Sequence, residues 1–91
     1  MAFPVKTLAE LGLRPSQNPT SLIYGLAVDS REIRKGFLFV ALPGSQTHGA
    51  KFAHFAFRQG AIAILTDAEG ATIASEEIQK YNVETCIVDD P

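Results

Sequence analysis

Three short apolar runs, separated by two segments of helical length, constrain this chain more than anything else in it. The runs are Phe-Leu-Phe-Val-Ala-Leu at 37–42, Ala-Ile-Ala-Ile-Leu at 61–65 and Thr-Cys-Ile-Val at 85–88. The first is stopped by Pro43 and Gly44 and lacks polar alternation, as expected of a strand covered on both faces. After it, Phe52, Phe55, Ala56 and Gln59 are spaced for one helical face, with Gly60 as the stop. Phe57 falls off that stripe, so this helix is expected to be buried over more than one side. A second helix is expected at 74–81, with Ile73 and Ile78 toward the core and Asn82 near its end. Alternating strands and helices predict a largely parallel sheet. The expected fold class is therefore α/β, a small mainly parallel or mixed sheet flanked by helices.

Upstream, a further strand is expected at about 23–28. Before it, Thr7 reads as the N-cap of a short helix, with Glu10 at the third helical position and Gly12 and Pro15 as terminators. Residues 14–21, with Pro15, Ser16, Asn18 and Pro19, read as a turn-rich connector. The 91 residues are enough for one small domain, spanning 1–91. Net charge is −2 and the Lys and Arg residues are scattered, which argues against nucleic acid or anionic lipid as partner. No apolar run approaches the length of a membrane span, and the N-terminus has no signal-peptide core. A cytoplasmic location is the expectation. Cys86 is the single cysteine, so it forms no internal disulfide and reads as a buried thiol. Asp89-Asp90-Pro91 after a strand suits an interdomain junction, as in a domain taken from something longer.

In open α/β sheets ligands settle beyond the carboxyl ends of the strands. Here those ends carry Asp29-Ser30-Arg31, the loop at 44–49, and Asp67-Ala68-Glu69-Gly70. The 44–49 loop is the strongest candidate, because its glycines permit close approach and the next helix should present free N–H groups. It is not an ATP-binding P-loop. Lys51 comes one position late and Phe52 stands where a magnesium-binding hydroxyl is needed. Asp29-Ser30-Arg31 reads either as a strand-end turn with Arg31 paired to an acid, or as a strand edge whose Ser30 hydroxyl meets a planar heterocycle such as uracil. His48 either caps the helix or touches ligand phosphate. His54 reads as a partly exposed helix residue, and with no third ligand apparent the two histidines do not suggest a metal site. No arrangement of Ser, Cys, His or Asp suggests a nucleophile.

Taken in order, Asp29-Ser30-Arg31, the Gly-Phe-Leu-Phe-Val-Ala-Leu-Pro-Gly run at 36–44, and the helix leading into Gly-Ala-Ile-Ala-Ile-Leu-Thr at 60–66 resemble the N-terminal domain of the Mur ligases, most closely the MurE type. The resemblance covers about 26–90. It implies the UDP-recognition domain of an enzyme acting on UDP-MurNAc-L-Ala-D-Glu. That enzyme uses ATP and Mg2+ to activate the glutamyl carboxylate for attack by a diamino acid. Similarity to Gram-negative-like relatives implies diaminopimelate as that amino acid. By position, Val28 and Ser30 would meet the uridine, and Ser45, Gln46 and Thr47 would close over the nucleotide. Many relatives carry an acidic residue where His48 stands. The ATP site, magnesium ligands and amino-acid pocket would lie in central and C-terminal domains outside this chain, leaving the chain alone without cofactor or catalysis. The equivalent domain of a MurF-type ligase shares much of the pattern, and a free-standing nucleotide-sensing or interaction module is the alternative from another class.

Overall fold

The computed structural model describes residues 6–7, 22–44 and 46–88. Nine strands and helices are seen among them. Strand β1 is Lys6–Thr7, β2 Leu22–Ile23, β3 Gly25–Ala27 and β4 Phe37–Ala41. They are followed by α1 Ala53–Gln59, β5 Ala63–Thr66, α2 Ala68–Ile73, α3 Ser75–Tyr81 and β6 Glu84–Ile87. Single 3-10 turns at Ser30–Glu32 and Gly49–Phe52 lead away from β3 and into α1.

The sheet runs β3-β4-β5-β6 and every pairing is parallel, with Ala27 beside Phe39, Phe39 beside Ile64, and Ile64 beside Thr85. Its strands are in sequence order, so each crossover returns to the neighbouring position. The α/β expectation, with a mainly parallel sheet, is therefore met. β1 and β2 form a separate antiparallel pair, with Thr7 opposite Leu22. Thr7 thus belongs to a strand, a correction to its reading as a helix cap. The remainder of that expected helix, the connector at 14–21 and the junction at 89–91 lie outside the described residues.

β4 is buried on both sides, as its unbroken apolar run requires. Phe39 and Ala41 face a core completed by Ile64 and by Ala53, Ala56 and Phe57 of α1. Leu38 faces the opposite side with Ile23, Ala63 and Cys86. The expected inner stripe of α1 is corrected here. Phe57 is only 4% exposed, whereas Phe52 and Phe55 are 44% and 56% exposed. Two stripes share Ala56 in this helix, and the inward one combines small alanines with Phe57, which lets the helix sit close to the sheet. Gly60 ends α1 with φ +116°, a left-handed conformation for which a side chain is poorly suited. Its neighbour Gln59 donates from Nε2 to the Ser30 carbonyl at 2.7 Å, tying the end of α1 to the turn after β3.

The second helical region differs from expectation in its start. It comprises two helices, and the segment read as a strand-end loop at 67–70 is the capped beginning of the first. Asp67 accepts from the Gly70 N–H at 2.8 Å. Ile78 packs on the core as expected, while Ile73 is exposed. Asn82 terminates α3 in the left-handed region.

Candidate ligand site

A cavity of about 660 Å3 opens beyond the carboxyl ends of β3 and β4. Val28 and Leu42, the residues that follow those strands, form its sheet side, and Phe52 and Phe55 form its helix side. Its polar groups come from the two strand-end loops, with Ser30 on one and Thr47 on the other. The walls are thus mostly apolar and aromatic with a few polar groups, the usual composition of a small-molecule site.

The turn after β3 is held by local bonds. Asp29 accepts from the Arg31 backbone N–H at 2.9 Å and from the Arg31 guanidinium, Nη2 to Oδ2, at 2.7 Å. These bonds hold the Asp29 carboxyl down at about 2, the guanidinium contributing most, and raise Arg31 further. Gln59 Nε2 and the Ile33 N–H both bond the Ser30 carbonyl, and neither engages its hydroxyl. Thr47 Oγ1 is buried and has no hydrogen-bond partner among the described residues. A buried hydroxyl in that state is costly unless something else satisfies it, and Thr47 itself is one of the residues lining the cavity.

Val28, Ser30 and Thr47, expected at a ligand site, therefore come together around one cavity. Gln46 is exposed on the same loop but is not part of the wall, and Ser45 lies outside the described residues. Sequence reasoning missed the aromatic side. The spacing of Phe52 and Phe55 predicts a core-facing stripe, whereas both line the cavity and Phe57 takes the inner face. Phe55 is braced edge-on by the His54 ring at 5.8 Å, and His54 in turn meets Tyr81 edge-on at 6.1 Å.

Four amides in and just after the 44–49 loop are already bonded, including those at the start of the next helical segment that were expected to be free. Gly44 N–H bonds Thr47 O, Gly49 N–H bonds Leu42 O and Lys51 N–H bonds His48 O, each at 3.0–3.1 Å. Ala50 N–H is capped by His48 Nδ1 at 3.0 Å. With these four donors bonded, and with Lys51 one position late and Phe52 where a hydroxyl is needed, the segment lacks the P-loop features by which ATP and Mg2+ would be held. Of the two readings of His48, helix cap is the one the structure supports. The premise that no third ligand stands near it is corrected, since Asp67 Oδ1 lies 2.8 Å from His48 Nε2 and Glu69 Oε1 4.0 Å away.

Residues 22–90 match the Mur ligase family, in the part described as its catalytic domain. The chain belongs to that family. It is 40% identical over 91 residues to a UDP-N-acetylmuramoyl-L-alanyl-D-glutamate--2,6-diaminopimelate ligase of Streptomyces coelicolor, an alignment covering 99% of this chain and 17% of that protein. To the protein of the same name from Brucella melitensis it is 38% identical over 79 residues, 87% of this chain and 15% of the relative. The one from Alkalilimnicola ehrlichii is 52% identical over 46 residues, 50% of this chain and 9% of the relative. The chain thus spans less than a fifth of the length of these relatives. Among the described residues no helix is long and apolar enough to cross a membrane.

Proposed function

We propose that this chain is the UDP-recognition domain of a UDP-N-acetylmuramoyl-L-alanyl-D-glutamate--2,6-diaminopimelate ligase, and that the uridine occupies the cavity between β3, β4 and α1. The observation that carries the reading is the meeting of an apolar and aromatic wall at Val28, Phe52 and Phe55 with the two polar strand-end loops that bring Ser30 and Thr47 to the same cavity. A planar heterocycle suits both, since its faces stack on aromatic rings while its edge offers carbonyl acceptors and an N–H donor. Ser30 lines the same cavity, and its hydroxyl would supply a polar contact. Gln46, exposed on the same loop, and Ser45 are further contacts that rest on the family resemblance alone.

The ligand named by the relatives, UDP-MurNAc-L-Ala-D-Glu, is larger than this cavity. Its sugar and peptide would extend toward the central and C-terminal domains of the full-length ligase, where ATP and Mg2+ would also bind. On this reading the 91-residue chain binds without catalysing. The supporting feature is that Lys51 and Phe52 are out of place for a P-loop and that the Gly44, Gly49, Ala50 and Lys51 amides are already bonded. The whole protein would work in the cytoplasm, on peptidoglycan precursors, with neither nucleic acid nor membrane as partner.

The test is Ser30→Ala and Thr47→Val in the full-length ligase. Each removes one neutral hydrogen bond, for a cost of ~0.5–1.5 kcal/mol, or several-fold in affinity. KM for the UDP-substrate should rise while KM for ATP stays the same. Unchanged KM for the UDP-substrate in both variants, with the fold intact, would remove the uridine from this cavity.

A further inference from the structure

Neither His48 nor Asp67 lines the cavity, yet together they form a largely buried hydrogen-bonded cluster behind it. We infer that they are positioning residues for the ligand: a hydrogen-bond relay that sets the 44–49 loop by tying it to the cap of α2. The inference rests on the uridine reading for its ligand, though not for its geometry.

The protons define the relay. His48 Nδ1 accepts from the Ala50 N–H at 3.0 Å, so the neutral ring carries its proton on Nε2. That nitrogen lies 2.8 Å from Asp67 Oδ1 and donates to it. The same oxygen accepts from the Gly70 N–H at 2.8 Å, which starts α2. These bonds hold the Asp67 carboxyl below the usual carboxylate range, the Gly70 amide contributing most and His48 next. The His48 side chain is 5% exposed, so little water competes for its ring nitrogens.

The loop is the beneficiary. His48 also pairs across the loop with Pro43, and its carbonyl accepts from Lys51 N–H. Its two neighbours, Thr47 and Gly49, are both on the cavity wall. Rotating His48 out of the relay would therefore move the Thr47 hydroxyl. Gly70 is required on the far side, because a Cβ there would lie 2.6 Å from His48 Cε1 and would collide with Thr66 Oγ1.

A cation held by His48, Asp67 and Glu69 is the competing use of the cluster, whose ligand atoms lie within 4.8 Å of one another. The tautomer opposes it. Giving the Nε2 lone pair to a metal moves the proton to Nδ1, where it would face the Ala50 N–H donor to donor. An acidic residue at position 48 could cap Ala50 but would repel Asp67. The relay needs an acceptor and a donor on one side chain, and histidine supplies both.

The experiment measures UMP affinity by amide shifts in the 15N-labelled chain, for His48→Ala, Asp67→Ala, Asp67→Asn and Val83→Ala. Both alanine variants of the relay should bind UMP several-fold more weakly, and the double variant no more weakly than either single. Asp67→Asn should bind like the parent, because one amide oxygen can accept both bonds. Val83→Ala destabilises the core away from the loop and should leave affinity unchanged. Equal binding by all variants would overturn the relay, as would weakening by Val83→Ala to the same extent. Asp67→Asn as weak as Asp67→Ala would replace geometry with charge and also overturn it. A parent chain that binds no UMP would sink the ligand assignment alone. The relay is then read from 15N relaxation, where Asp67→Ala must loosen residues 46–49, and from the imidazole 15N shifts, where a proton on Nδ1 would contradict it.

Discussion

Phe55→Ala and Phe57→Ala, two residues apart on α1, should have opposite consequences. Phe57 is 4% exposed and packs among Ala53, Ala56 and Ile64, with the Tyr81 ring edge-on at 5.8 Å. Truncating a phenylalanine in such a place costs ~3–5 kcal/mol through lost transfer energy and the cavity left behind. A domain of this size has ~5–14 kcal/mol in total at typical per-residue stability, so a large part of it goes, with Tm falling on the order of 20 °C. Phe55 is 56% exposed and lies on the cavity wall. Its removal leaves no internal void, and alanine is the better helix former, so stability should stay within about 0.5 kcal/mol of the parent. Ligand binding should suffer instead. Base–aromatic stacking is worth ~1–3 kcal/mol by alanine substitution. The low end applies at this open site, giving about a fivefold weaker Kd for UMP. Thermal melts followed by circular dichroism, with UMP titrations on the same samples, read both effects. If Phe55→Ala melts as early as Phe57→Ala, the assignment of the inner face is wrong. If it binds UMP as tightly as the parent, the aromatic wall has no part in recognition.

Burial and the nearby Glu84 push the Cys86 thiol up to about 11 from 9.0. The folded state thus holds this proton more tightly, a contribution that is complete below pH 9.0 and lost as pH rises toward about 11. Native chain at pH 8 should accordingly react with a thiol reagent only as fast as it unfolds; immediate stoichiometric labelling would contradict the burial. Gly60→Ala places a Cβ 2.7 Å from Lys35 Cα at a φ of +116° and should lower stability by more than ~1 kcal/mol in a denaturant titration. An unchanged midpoint would refute the packing of the α1 terminus against residue 35.

The parts of the fold legible in the sequence are those where one physical demand acted alone. Residues 37–42 could be read as a strand covered on both sides because no polar residue interrupts them, and Leu38 and Phe39 do face opposite cores. Gly60 and Asn82 marked helix ends because both lie in the left-handed region there. Where two demands competed, local pattern was insufficient. In α1 one stripe holds Phe52 and Phe55 and the other holds Ala53 and Phe57, so periodicity could not choose between them. The choice depends on how closely the helix approaches the sheet, a tertiary quantity. The α2 helix was concealed by Gly70, a poor helix former whose presence reflects contact with Thr66 and His48 rather than a turn. Asp67 three positions earlier was the available signal for a cap. At the site, the strand-end rule points to the Asp29-Ser30-Arg31 turn and the 44–49 loop, which the structure brings to one cavity, whereas only the family resemblance singles out Val28 and Thr47. The pairing of His48 with Asp67 was not legible, since 19 residues separate them and only the parallel crossover brings β4 and β5 ends together.

Whether the cavity beyond β3 and β4 receives a uridine is decided by amide-shift mapping with UMP. The chain is titrated with UMP and, separately, with AMP, and perturbed residues are placed on the fold. UMP should shift residues 28–30, 44, 46–49, 52 and 55 with saturable behaviour. Weak affinity, above about 100 μM, is expected because the sugar–peptide contacts and any neighbouring domain are missing from the measurement. AMP should not reproduce the pattern, since its purine presents a different edge to Ser30 and Thr47. Shifts gathered instead around Tyr24, Lys35 and Ile62, at the second cavity on the opposite end of the sheet, or identical responses to UMP and AMP, would contradict the claim.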